Sequence, residues 1–138
     1  MTSAFMQLHP GEVTIHPPQQ FYAGDTWEIS AACTDSYDEP LDLTTADVEW
    51  LLNEFAADGS AGPNKLTLSV GNGIALVENV SGDLVPGLIL ITVTPVQSAP
   101  IVRGFYLDQL TVTLGGKVFV QFRGRIEVLA KLPVAVSG

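Results

Sequence analysis

The chain has 138 residues, 46% of them apolar and only 15% charged, with a formal net charge of −9. That length suits one domain with a sizeable core rather than two. The negative charge argues against an unaided DNA-binding or anionic-membrane surface, because the long-range field has the wrong sign.

Charged residues usually make up about 25% of a globular chain, so this surface must be covered largely by Ser, Thr, Gln, Gly and apolar groups. Such a surface suits a subunit packed against neighbours. The charge is also unevenly spread: residues 1–100 sum to −12 and residues 101–138 to +3. If the two regions occupy adjacent strands, they neutralise each other; if they occupy separate surfaces, they orient the subunit against a copy or a partner. A single cysteine, Cys33, leaves no intrachain disulfide framework and no cysteine-rich zinc site. "MTSAFMQLHPGEV" lacks the basic start and apolar core of a signal peptide, and no run approaches the roughly 20 apolar residues that span a bilayer. Assembly after cytoplasmic synthesis is the expectation.

In chain order, residues 1–20 carry Pro10, Pro17 and Pro18 and read as an irregular arm around a short extended piece at Val13–His16, suited to an edge rather than a central strand. After the turn "AGDTW", Trp27, Ile29, Ala31 and Cys33 alternate with Glu28, Ser30 and Ala32, the rhythm of an antiparallel strand with one wet face. This makes Cys33 a small core residue rather than a nucleophile. "DLTTADVEWLLNEF" has two mechanistic readings. Val48, Leu51, Leu52 and Phe55 have helical spacing behind a Thr44 cap, while Val48, Trp50 and Leu52 alternate as in a strand. Burying Trp50 between sheets stabilises by several kcal/mol at about 25 cal/mol per Å2, against tenths per residue for helix propensity. A turn over Asp42–Asp47 feeding a strand over Val48–Asn53 is therefore expected.

"ADGSAGPN" reads as a break, Leu66 and Leu68 as the start of another strand, and "GNGIALVEN" as the next. "SGDLVPG" separates that strand from "LILITVTP", whose apolar run over Leu88–Val93 predicts a strand buried on both sides or meeting another subunit. "PVQSAP" fits one helical turn begun by Pro95. "FYLDQLTVTLGGKVFVQFRGRIEV" predicts a long hairpin turning at Gly115–Gly116. On its returning arm Val118, Val120, Phe122, Ile126 and Val128 share one face, and Phe119 joins Lys117, Arg123 and Arg125 on the other. About seven short strands without crossover helices give an all-β, antiparallel β-sandwich over residues 21–132, with a tail at 133–138.

No constellation for chemistry stands out. His9 and His16 lack zinc spacing. Asp35, Asp38, Glu39 and Asp42 depart from a calcium loop and read as a solvated acidic turn. No nucleophile elbow or phosphate loop is present. Lys117, Arg123 and Arg125 around Phe119 could form a small nucleic-acid platform, but they read better as the charged face of a sheet. No catalytic, cofactor-binding or metal residue and no cofactor is assigned.

"GDTWEI", "PLDLTTADVEWLL", "GNGIALV", "LILITVTPVQSA" and "FYLDQLTVTLGGKVFVQFRGRIEV" form an ordered series over about Phe21–Leu129. It resembles the immunoglobulin-like modules of tailed-phage and prophage structural proteins, in particular tail and baseplate modules. The resemblance implies a non-enzymatic virion subunit in the tail, baseplate, neck or capsid decoration. Its partners would be other phage structural proteins and copies of itself, met through sheet edges and the arm, without direct nucleic-acid or membrane contact. Trp50, Tyr106, Gly115, Gly116 and Gly124 match the family rhythm as core or turn residues. The family's modules are often attached to larger tail proteins, whereas Gly138 ends this sequence. A carbohydrate-binding sandwich using exposed Tyr22, Tyr37 or Phe119 is the other class of function these residues allow.

Overall fold

The computed structural model describes residues 14–15, 19–56 and 58–131 of the chain. His9, His16 and the 133–138 tail lie outside the described residues. Within them the protein is all-β, with strands β1 (Thr14–Ile15), β2 (Gln19–Tyr22), β3 (Trp27–Ala32), β4 (Asp47–Phe55), β5 (Ala61–Val70), β6 (Gly73–Glu78), β7 (Leu84–Val93), β8 (Gly104–Leu114) and β9 (Lys117–Leu129). The single helical turn is α1 (Pro95–Ser98).

The strands form one mixed sheet in the order β1-β9-β8-β4-β5-β6-β7-β3, with β2 also pairing β9. The sheet curls until it is nearly closed into a barrel. The expectation of purely antiparallel pairing is corrected at the short β5–β6 contact, which is parallel, and at the start of the chain, where β1 and β2 run parallel to β9. The reason at the start is the route of the chain. It climbs the outer edge of β9, stacks Phe21 on Trp27 with centroids 5.1 Å apart, and crosses to the far sheet edge through the turn at Gly24. Trp27 Nε1 donates to Tyr22 O at 2.9 Å and pins that crossing.

The chain turns at Thr44–Thr45 within the expected stretch and β4 is a strand, one residue longer than expected at its start, where Asp47 already belongs to it, and two at its far end. Its alternation places Val48, Trp50 and Leu52 in the core and Glu49 outside. They meet Leu110 and Val112 of β8 on one side and Leu68 of β5 on the other. Across the core stand Trp27 and Ile29 of β3, Ile74 of β6, and Ile89, Ile91 and Val93 of β7. Leu88 and Leu90, on the opposite parity of β7, are only half-buried. Burying a Trp of roughly 150–250 Å2 stabilises by about 4–6 kcal/mol, so Trp50 outweighs the helical spacing of its neighbours.

Two expected breaks lie partly inside strands. The turn of "ADGSAGPN" occupies residues 58–60, and Gly62–Asn64 continue into β5 where its pairing with β4 shifts register at Asn53. The irregular ladder tolerates Pro63, which has no N–H to donate. Pro86 and Gly87 likewise belong to β7. Gly87 adopts φ 77 and approaches Cys33 so closely that a Cβ would stand 2.5 Å from its carbonyl oxygen, which explains a glycine there.

The long hairpin turns at Gly115 (φ 60) and Gly116 (φ 81), as their permissive backbone allows. Its returning arm corrects the expected faces. Leu110 pairs Phe122 while Thr111 pairs Val120, so Gln121 is an extra residue, a β-bulge. Beyond it the alternation inverts: Phe119 pairs inward-facing Val112 and packs against the core, while Val118 is exposed.

Candidate functional site

At the centre of the core, Trp50 Nε1 donates to Asp108 Oδ2 at 3.0 Å. Asp108 is buried on β8 between Leu52 of β4 and Gly124 of β9. Two residues earlier, the Tyr106 hydroxyl donates to Val102 O at 2.6 Å, tying the start of β8 to the loop that follows α1. Burial raises the Tyr106 pKa, with smaller opposing effects from Lys65 and Glu54. This set is closed to substrate, and its geometry is that of a brace between strands. Sequence reasoning passed over Asp108, although an acid at an inward position of the Tyr106, Leu110, Val112 alternation was a visible signal.

Cys33 is fully buried beside Gly87, and burial pushes its thiol up to about 11. A thiol held protonated at neutral pH is a poor nucleophile, which agrees with its reading as a core residue. The acidic turn is also organised locally. Asp35 Oδ1 accepts from the backbone N–H groups of Tyr37 and Glu39, and Asp42 Oδ1 accepts from the N–H and hydroxyl of Thr44. Those bonds from Thr44 hold Asp42 below the usual carboxylate range. Asp38 turns the chain at φ 66. These carboxylates cap a turn, and among the described residues no cluster of three or more His, Cys, Asp or Glu is arranged to hold a metal ion.

The bulge at Gln121 separates the expected basic platform. Lys117 pairs inward-facing Leu114, whereas Arg123 and Arg125 keep the outward parity beside Gln109 and Leu107. Arg125 lies over the Phe105 ring, 5.1 Å from its centroid. Phe119 is turned into the core and so is also removed from the expected exposed aromatics, leaving Tyr22 and Tyr37 exposed. The two arginines belong instead to a broad face that includes Leu107 and Gln109 of β8 and Glu49, Leu51 and Asn53 of β4. Phe105 (51% exposed) and Phe55 (37%) extend it at one end.

A separate cleft of about 360 Å3 opens between the Pro40–Thr44 segment and the start of β7. Leu43, Leu76, Leu84, Val85 and Pro86 line it with apolar surface, and Asp42 and Thr44 supply its polar rim. The sequence matches no protein-family model and no curated protein.

Proposed function

We propose that the protein is an immunoglobulin-like sandwich serving as a non-enzymatic structural subunit of a phage or prophage virion. In this reading it joins copies of itself and other virion proteins through protein–protein contacts. The observation that carries the fold part is the Tyr106 hydroxyl bond to Val102, four residues upstream at the entry to β8, together with Trp50 on β4. A tyrosine corner at this place and a buried Trp in the neighbouring strand are hallmarks of immunoglobulin-like sandwiches. The strand order is compatible with it: in this reading β5-β4-β8-β9 form one layer and β6-β7-β3 the other, joined by the short parallel contact of Ser69 and Val70 with Gly73 and Ile74. The ordered resemblance to tail and baseplate modules, with the sparse surface charge, extends that fold to an assembly role.

Density-gradient fractionation of particles from the phage or prophage that encodes the chain, followed by mass spectrometry, tests the role. The protein should co-purify with intact virions at a fixed stoichiometry; a chain absent from them overturns the reading. The cleft beside Pro40–Thr44 favours a second reading, a ligand-binding sandwich. Glycan-array binding that is lost in Leu84→Ala, at the cleft wall, would support the carbohydrate form of it.

A further inference from the structure

Two copies of a chain carrying −9 repel each other over most of their surfaces. The outward face of β4, β8 and β9 is closer to balance: it sets Asp47 and Glu49 on one side of β8 and Arg123, Arg125 and Glu127 on the other. Apolar Leu51, Leu107 and Phe105 lie between and beside these charges, none of them fully buried. The sheet edges offer less. β1 and β2 line the outer edge of β9, and the Gln121 amide ties β9 to Thr34 beyond the end of β3. Pro63, Lys65 and two register shifts interrupt β5, features that blunt edge-to-edge pairing.

We infer that this outward face is a self-association surface on which a second copy packs face to face, Arg123 of each against Glu49 of the other. The inference rests on the assembly reading above and names its contact surface. A two-fold axis running along β8 lays β9 of one copy over β4 of its partner and makes the contact isologous. Arg123 and Leu51 both pair Gln109, and Glu49 lies one pleat repeat from Leu51, about 7 Å along the strand, within an arginine's span. Gln109 then faces its own copy on the axis, where its uncharged amide avoids self-repulsion.

The size suits a weak dimer. Strands β4, β8 and β9 at about 4.8 Å spacing span about 14 Å, and the eight residue pairs of β4 with β8 run about 27 Å. That plan of roughly 400 Å2 is about half of the about 800 Å2 per partner of a standard interface, the size of a concentration-dependent contact.

Sedimentation equilibrium of the full chain tests this, with circular dichroism confirming that each variant folds. The wild type should dimerise, Arg123→Glu and Glu49→Arg should each weaken the dimer by about tenfold or more, and the two together should restore it to within about threefold. Restoration by the double reversal is the result that a merely structural role would not produce. A protein monomeric at about 0.1 mM, a dimer indifferent to both reversals, or a double variant as weak as the single ones overturns the inference. A monomer still found in purified virions would overturn this surface and leave the virion role standing. A dimer with this charge pattern that is absent from virions would do the reverse.

Discussion

Trp50 and Asp108 show how one buried polar contact can fix a core that is otherwise apolar. The indole buries a large ring, yet its N–H needs an acceptor once water is gone, since an unmet buried donor costs about 1–3 kcal/mol. Asp108 supplies that acceptor from the neighbouring strand at 3.0 Å. An apolar replacement at either position would satisfy packing alone and leave the other group without this bond. Cys33 carries a different consequence, visible in the pH dependence of stability. Burial raises its pKa from 9.0 to about 11, so between those values the unfolded chain loses a proton that the folded chain keeps. The stability linked to the protonated thiol is therefore fully present below pH 9 and is lost as pH rises towards 11. The loss is on the order of 2–3 kcal/mol, at 1.36 kcal/mol per unit. Urea unfolding from pH 8 to 11 should show wild-type stability falling more steeply than that of Cys33→Ala, whose thiol is gone and whose tyrosines still titrate. Parallel curves for the two proteins would refute the linkage.

Among the elements, β9 depends most on one residue. Gln121 is the extra residue of the bulge, and its side chain acts as a short strand: Nε2 donates to Thr34 O at 2.9 Å while Thr34 N–H donates to Oε1 at 2.8 Å. This two-bond bridge ties β9 to the far end of the curled sheet. Gln121→Ala should destabilise the protein by about 1–3 kcal/mol and raise hydrogen exchange at the Thr34 amide, while Gln109→Ala, on the open face, should leave that amide protected. Unchanged protection at Thr34 would mean that the seam holds without the bridge. The same residue marks how far the sequence was legible. Trp50 in a strand, the helical turn at Pro95 and the hairpin tip at Gly115–Gly116 were readable because each depends on local spacing or on a residue of special backbone freedom. The inversion after Gln121 was not, because "KVFVQF" alternates the same way with or without a bulge, and the bulge is fixed by pairing with β8 and by Thr34, 87 residues away. Pro63 and Pro86 misled for a related reason: irregular or edge pairing accepts a proline that a regular inner ladder rejects. For the candidate surface, the bases of β9 were visible, but their separation from Lys117 and their position across β8 from Glu49 needed the register.

At the scale of the whole molecule, the acidic composition and the proposed dimer oppose each other, and ionic strength decides between them. Two charges of −9 with centres about 30 Å apart repel by roughly 11 kcal/mol in unscreened water, a value that collapses when the Debye length falls from about 30 Å at 0.01 M to about 8 Å at 0.15 M salt. The contacts holding the face together respond less. Leu51, Leu107 and Phe105 bury apolar area that moderate salt does not weaken, and exposed ion pairs such as Arg123 with Glu49 are worth only about 0–1 kcal/mol each. Association should therefore tighten, by about tenfold or more, as salt rises from about 0.01 to 0.15 M, the opposite of a complex steered together by unlike charges. Sedimentation equilibrium across that range measures the sign directly. Weakening with salt would show that direct charge pairs dominate the contact, and the apolar part of the face would then lose its role as the source of affinity. Tightening with salt, together with restoration by the Arg123→Glu and Glu49→Arg pair, assigns affinity to the apolar residues and register to the charges. That division lets a strongly acidic chain self-associate in one orientation at physiological ionic strength.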